Sequence, residues 1–154
     1  MRLVDILAED RIIPSLASTT RDGALAEMVG CMADSVALDR DRALNQILQR
    51  ERAGSTGIGQ GIAIPHAKLA GLPRIVACFG RSTPGVEFGS LDGKPAHLLL
   101  TLLAPQGNAG LHLQALARAS RLLQDGAFRA QLMQLEDREA IWQAFVGREA
   151  SLEA

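Results

Sequence analysis

The chain has 154 residues and a mass of 16.4 kDa, the size of one domain, and its 47% hydrophobic and 21% charged residues can build a packed core. A net charge of −1 and only 3% aromatic residues exclude a field that holds polyanions and the stacking platforms of base-reading modules, so no nucleic-acid partner is expected. No apolar run approaches the roughly 20 residues that cross a bilayer, and Met1-Arg2-Leu3-Val4-Asp5 meets an acid instead of a signal core, so no membrane insertion and a cytoplasmic location are expected.

Residues 3–8 read as a short helix, and residues 11–16 as a brief extended piece interrupted by Pro14. Leu25, Met28, Val29, Met32 and Val36 recur at helical spacing, which predicts an amphipathic helix over 22–37. Asp39 is a plausible cap for a second helix through Ala43, Leu44, Ile47 and Leu48, ending at Gly54. Residues 54–61 hold four glycines and read as a loop. Ile62-Ala63-Ile64 is a short strand ended by Pro65, and residues 74–80 form a second one. Residues 82–95 are turn-rich, with Val86-Glu87-Phe88 as a small edge strand. His97–Ala104 is a nearly continuous apolar run, as expected of a strand buried on both faces. Asn108, Asp125 and Asp137 each stand where a helix can begin, and the first of these helices runs to Gln124. The order of elements predicts an α/β single domain over 1–147, one sheet with helices on both faces, and a flexible tail over 148–154. Strand order is not readable.

The chemistry concentrates between Arg50 and Lys68. Gly57-x-Gly59-x-Gly61 does not fit the dinucleotide fingerprint, and here a helix precedes the loop and a strand follows it. Nucleotide loops run the other way, from strand to helix N-terminus. The segment suits a smaller anion instead. Backbone N–H groups of Gly54, Gly57, Gly59 and Gly61 can approach a phosphate closely, and Ser55 and Thr56 add hydroxyls. Between Asp41 and Glu87 the only acid is Glu51, against Arg42, Arg50, Arg52, Lys68, Arg74 and Arg81. His66 follows the rigid Pro65 in this cationic window. It is either a surface histidine in an incidental turn or a neutral nucleophile for a phosphoryl group, and the residues alone balance the two.

His112 lies near the start of the helix opened by Asn108, in one stripe with Leu116, Ala119 and Leu123. The helix N-terminus lowers its proton affinity. It can donate to a phosphoryl oxygen, or serve as a core-edge histidine bonded to a carbonyl. His97 reads as structural. No ligand-spaced histidine pair points to a metal. Cys31 and Cys78 lack metal or redox spacing and read as two buried free thiols.

Arg50-Glu51 followed by Gly54-Ser55-Thr56-Gly57-Ile58-Gly59-x-Gly61-Ile62-Ala63-Ile64-Pro65-His66 closely resembles the phosphorylation signature of the fructose/mannitol-type enzyme IIA domains of the bacterial phosphotransferase system. His112-Leu113-x-x-Leu116 resembles the family's second motif. The long signature, continued by Lys68-Leu69, looks most like the nitrogen-regulatory branch, EIIA-Ntr. Ala67 departs from the glycine common after the histidine, and Gln114 stands where a nitrogen-branch relative has a further histidine.

The resemblance implies a mixed β-sheet flanked by helices. It also implies a phosphocarrier, a phosphotransferase component rather than a free-standing metabolic enzyme, with no cofactor. His66 would accept a phosphoryl group from a histidine-phosphorylated carrier, HPr or its paralogue NPr. His112 would assist and Arg50 would stabilise the phosphate. The nitrogen branch implies regulated protein partners such as potassium-transport components or sensor kinases. No fused membrane domain or enzyme IIB segment is recognised. The alternative is a fructose/mannitol-type domain that passes phosphate to a separate enzyme IIB.

Overall fold

A computed structural model describes residues 1–153. The strands are β1 (Ile12–Ile13), β2 (Gly57–Gly59), β3 (Ile62–Ala63), β4 (His66–Leu69), β5 (Val76–Val86) and β6 (Ala96–Pro105). The helices are α1 (Arg21–Ser35), α2 (Arg40–Ala53), α3 (Ala109–Leu123), α4 (Gly126–Gln134) and α5 (Arg138–Glu153), with short 3-10 turns at Leu3–Asp5 and Glu9–Arg11. The sheet runs β1-β5-β6-β3-β2, and β4 also pairs with β6. β5 lies antiparallel to β6, while β3 and β4 both lie parallel to it, so the sheet is mixed.

The predicted caps are in place. Asp39, Asn108, Asp125 and Asp137 each accept a hydrogen bond from the backbone N–H three residues on, at Arg42, Leu111, Phe128 and Ala140. A side-chain oxygen there satisfies a helical N–H that has no intrahelical acceptor. Helix α2 ends at Gly54, whose N–H bonds the Glu51 carbonyl.

Two cores sandwich the sheet, as expected of helices on both faces. Alternation along β6 divides them. Leu98, Leu100, Leu102 and Ala104 pack with α3, α4 and α5, while Leu99 and Leu103 pack with α1 and α2. The expectation of a strand buried on both faces therefore holds.

Four expectations need correction. The 54–61 segment is only partly loop, because β2 and β3 pair as an antiparallel hairpin that turns at Gln60. Gln60 takes a φ of 59°, the left-handed region, between Gly59 and Gly61 at 90° and 78°. Its N–H is held by the Asp92 carboxylate. Strand structure does not end at Pro65 but resumes at His66 as β4. β5 runs through the turn-rich residues to Val86, and an irregularity between Arg81 and Val86 accommodates Pro84 and Gly85. The tail over 148–154 is α5 as far as Glu153, and Ala154 lies outside the described residues. Glu149 holds that end down: its buried carboxylate accepts from the Leu3 N–H and from Arg118 Nε at 2.9 Å.

Candidate functional site

β3 and β4 share one register on β6. Ile62 and Ala63 face Leu98 and Leu99, and His66 faces Leu102, the same offset throughout. The break between the strands comes from Pro65, which has no N–H for the ladder and keeps Ile64 extended. The Ile64 N–H turns to the Thr56 carbonyl, and the Pro65 carbonyl accepts from the Leu102 N–H at 2.9 Å. The Ile64 carbonyl accepts from His66, with Nδ1 at 2.9 Å. A carbonyl only accepts, so Nδ1 carries the proton and the lone pair belongs to Nε2.

His66 alternates with the buried Ala67 and so projects to the α3 side of the sheet. There His112, in the first turns of α3, meets it edge to face, with ring centroids 5.3 Å apart and planes at 82°. His112 is buried, and its Nε2 has no hydrogen-bond partner among the described residues. A buried polar atom without a partner costs stability. Here it stands beside the His66 ring.

Both rings line an open cavity of about 450 Å³ together with Arg50, Gln46, Gln49, Ala67 and Lys68. Arg50 comes from the last turn of α2, and its Nη1 donates to the Gly54 carbonyl at 2.8 Å. Burial holds the His66 imidazole below its ordinary value, opposed by the Ile64 carbonyl, and Arg50 pushes it further down. Burial also lowers His112, with the charges of His66 and Lys68 acting the same way. Two neutral imidazoles thus sit among cations. The one nearby acid in sequence, Glu51, does not line the cavity, though its charge opposes that of Arg50 at His66; its buried carboxylate accepts from the backbone N–H and the hydroxyl of Thr56.

Of the residues singled out from the sequence, His66, His112 and Arg50 converge. Gly54, Ser55, Thr56, Gly57, Gly59 and Gly61 do not line the cavity. The Ser55 hydroxyl donates to the Phe88 carbonyl at 3.1 Å, and the Thr56 hydroxyl is held by Glu51. The glycine-rich segment acts here as scaffold: a Cβ on Gly57 would stand 3.0 Å from the Ser90 backbone. Gln46 and Gln49 line the cavity without having been picked out. They precede Arg50 by four and one positions, and the i, i+4 spacing on a helix was the signal for Gln46. His97 is structural, as read, with Nδ1 at 2.9 Å from the Ser82 carbonyl.

The family model for the phosphoenolpyruvate-dependent sugar phosphotransferase system, EIIA 2, matches residues 5–146. The chain is 41% identical over 142 residues to a fructose-specific EIIABC component of Bacillus subtilis, covering 92% of this chain and 22% of that longer protein. It is 37% identical over 142 residues to a nitrogen regulatory protein of Bradyrhizobium diazoefficiens, covering 92% of this chain and 93% of the relative. The crystal structure of the nitrogen regulatory protein IIA-Ntr from Neisseria meningitidis superposes with a TM-score of 0.85 at 28% identity, covering 92% and 97% of the two chains.

Proposed function

The chain belongs to the EIIA type 2 family of the phosphotransferase system, and from that premise we propose that it is a histidine phosphocarrier whose nucleophile is Nε2 of His66. The observation that carries this reading is the Ile64 carbonyl on Nδ1, which fixes the tautomer and leaves Nε2 for attack.

The donor is a histidine-phosphorylated carrier of the HPr or NPr type. As the bond from phosphorus to His66 Nε2 forms, the bond from phosphorus to the donor nitrogen breaks, in line with it. The ring proton stays on Nδ1, which donates it to the Ile64 carbonyl throughout. Arg50 meets charge on the transferring oxygens, and the unpartnered His112 nitrogen donates to one of them. Lowered proton affinity keeps His66 nucleophilic and His112 neutral near pH 7. The glycine-rich hairpin contributes by fixing the strand that carries His66.

The output we propose is regulatory, with protein partners selected by phosphorylation state. Near end-to-end similarity to a nitrogen regulatory protein supports it. The second reading, onward transfer to a fructose-type enzyme IIB for sugar uptake, draws on the 41% identity to part of a fructose-specific component.

Incubation with phosphoenolpyruvate, enzyme I and each purified carrier tests the chemistry. Acid-labile phosphate should appear on the wild type and be absent from His66→Ala. Stable labelling of His66→Ala would overturn the assignment. Adding a fructose-type enzyme IIB then separates the outputs, because rapid discharge to it favours transport.

A further inference from the structure

The cysteines stand 47 positions apart in the chain, yet the fold brings them together. Cys31 on α1 packs against the core cluster that holds Cys78 of β5, and each thiol acts on the other's titration. Cys78 is fully buried and lies opposite Thr101 of β6, in the core shared with α1 and α2. Cys31 is only partly buried, and it lines an open cavity of about 500 Å³ with Asp10, Asp34, Arg40 and Arg138. The Cys31 thiol also donates to the Asp10 carbonyl, with Sγ at 3.3 Å. The pair is on the face of the sheet opposite His66 and His112, so the proposed phosphoryl chemistry does not use it.

We infer that Cys31 and Cys78 form a thiol-oxidation site, in which hydrogen peroxide admitted by the cavity oxidises Cys31 and Cys78 resolves it to an intramolecular disulfide. The arrangement divides the roles. An accessible sulfur reacts first, and a buried one waits behind it. The Cys31 thiol is brought down to about 7, first by the Cys78 thiol and also by the Arg138 guanidinium, against burial, Asp10 and Asp34. The Cys31 thiol and burial push Cys78 up, which keeps it a thiol. Thiolate at an exposed sulfur is what peroxide attacks.

The steps balance. The Cys31 thiolate takes one peroxide oxygen, the O–O bond breaks, and with a proton the products are Cys31 sulfenic acid and water. The Cys78 sulfur then attacks the Cys31 sulfur, the S–O bond breaks, and the Cys78 proton leaves with hydroxide as a second water. The two thiols are oxidised by two electrons in all and the peroxide is reduced to two waters. The new bond of about 2.0 Å between the sulfurs ties α1 to β5.

Hydrogen peroxide added to the reduced protein tests this, read by intact mass and by peptide mapping without reductant. The wild type should lose the mass of two hydrogens, yield a Cys31–Cys78 linked peptide, and return to its starting mass with dithiothreitol. Cys31→Ser, at a partly exposed position, should keep its mass. Cys78→Ala, which also removes the neighbour that lowers the Cys31 thiol, should gain one oxygen more slowly, trapped by dimedone on Cys31. His66→Ala should form the linkage as the wild type does, which separates this site from the phosphocarrier reading. A wild type that stays unmodified, or that gathers two or three oxygens on Cys31 without the linked peptide, overturns the proposal.

Discussion

At the scale of single residues, the site depends on which nitrogen is free and whether it is charged. His66 and His112 both hold their protons less tightly than the ordinary 6.5 of an unfolded histidine. Below that value the unfolded chain binds protons that the native chain resists, so stability is full above 6.5 and declines as the pH falls through the native values. In a titration followed by NMR of the ring protons, both midpoints should lie below 6.5. Arg50→Ala should raise the His66 midpoint, since it removes a repelling cation; an unmoved midpoint would place Arg50 too far away to matter. The candidate residues themselves were legible, because a proline-positioned histidine, a cation-rich window and a second histidine on a helix stripe are all local patterns. What Ser55, Thr56 and Glu51 do was not. Their hydroxyls and carboxylate could equally have faced a ligand. Only the fold shows that Glu51 and the Phe88 carbonyl claim them.

At the scale of elements, local chemistry was readable and non-local pairing was not. The caps at Asp39, Asn108, Asp125 and Asp137 were predictable because a short acceptor and an N–H three residues on are decided within one turn. β4 escaped because four residues of mixed polarity owe their extended form to pairing with β6, far away in the chain. Helix α5 escaped at its C-terminal end for a similar reason. Residues 148–153 carry little apolar pattern, and Glu149 is held by Arg118 and by the Leu3 N–H. That contact makes a prediction. Glu149→Ala leaves both donors unmatched and should cost about 3 kcal/mol in urea unfolding, at the low end for a broken buried pair because Arg118 reaches solvent. Glu139→Ala, in the first turn of α5, should change it little by comparison. Equal losses would deny Glu149 its anchoring role.

At the scale of the whole molecule, β6 is the spine. It has strand partners on both edges and buried side chains on both faces, and each face belongs to a separate core. Its central amides, Leu99 to Leu103, should be the slowest in the chain to exchange with deuterium, well behind those of β2 at the sheet edge. Mass-spectrometric exchange would show it, and β6 exchanging as early as β2 would contradict a single cooperative sheet. The same spine bears on how the proposed carrier works in time. His66 rides on a strand in continuous register with β6, and its tautomer is set by a carbonyl one proline away. No lid has to swing for it to be ready. For the proposed carrier, transfer would then be paced by the meeting of two proteins in solution, and the relay should slow as the viscosity of the medium rises.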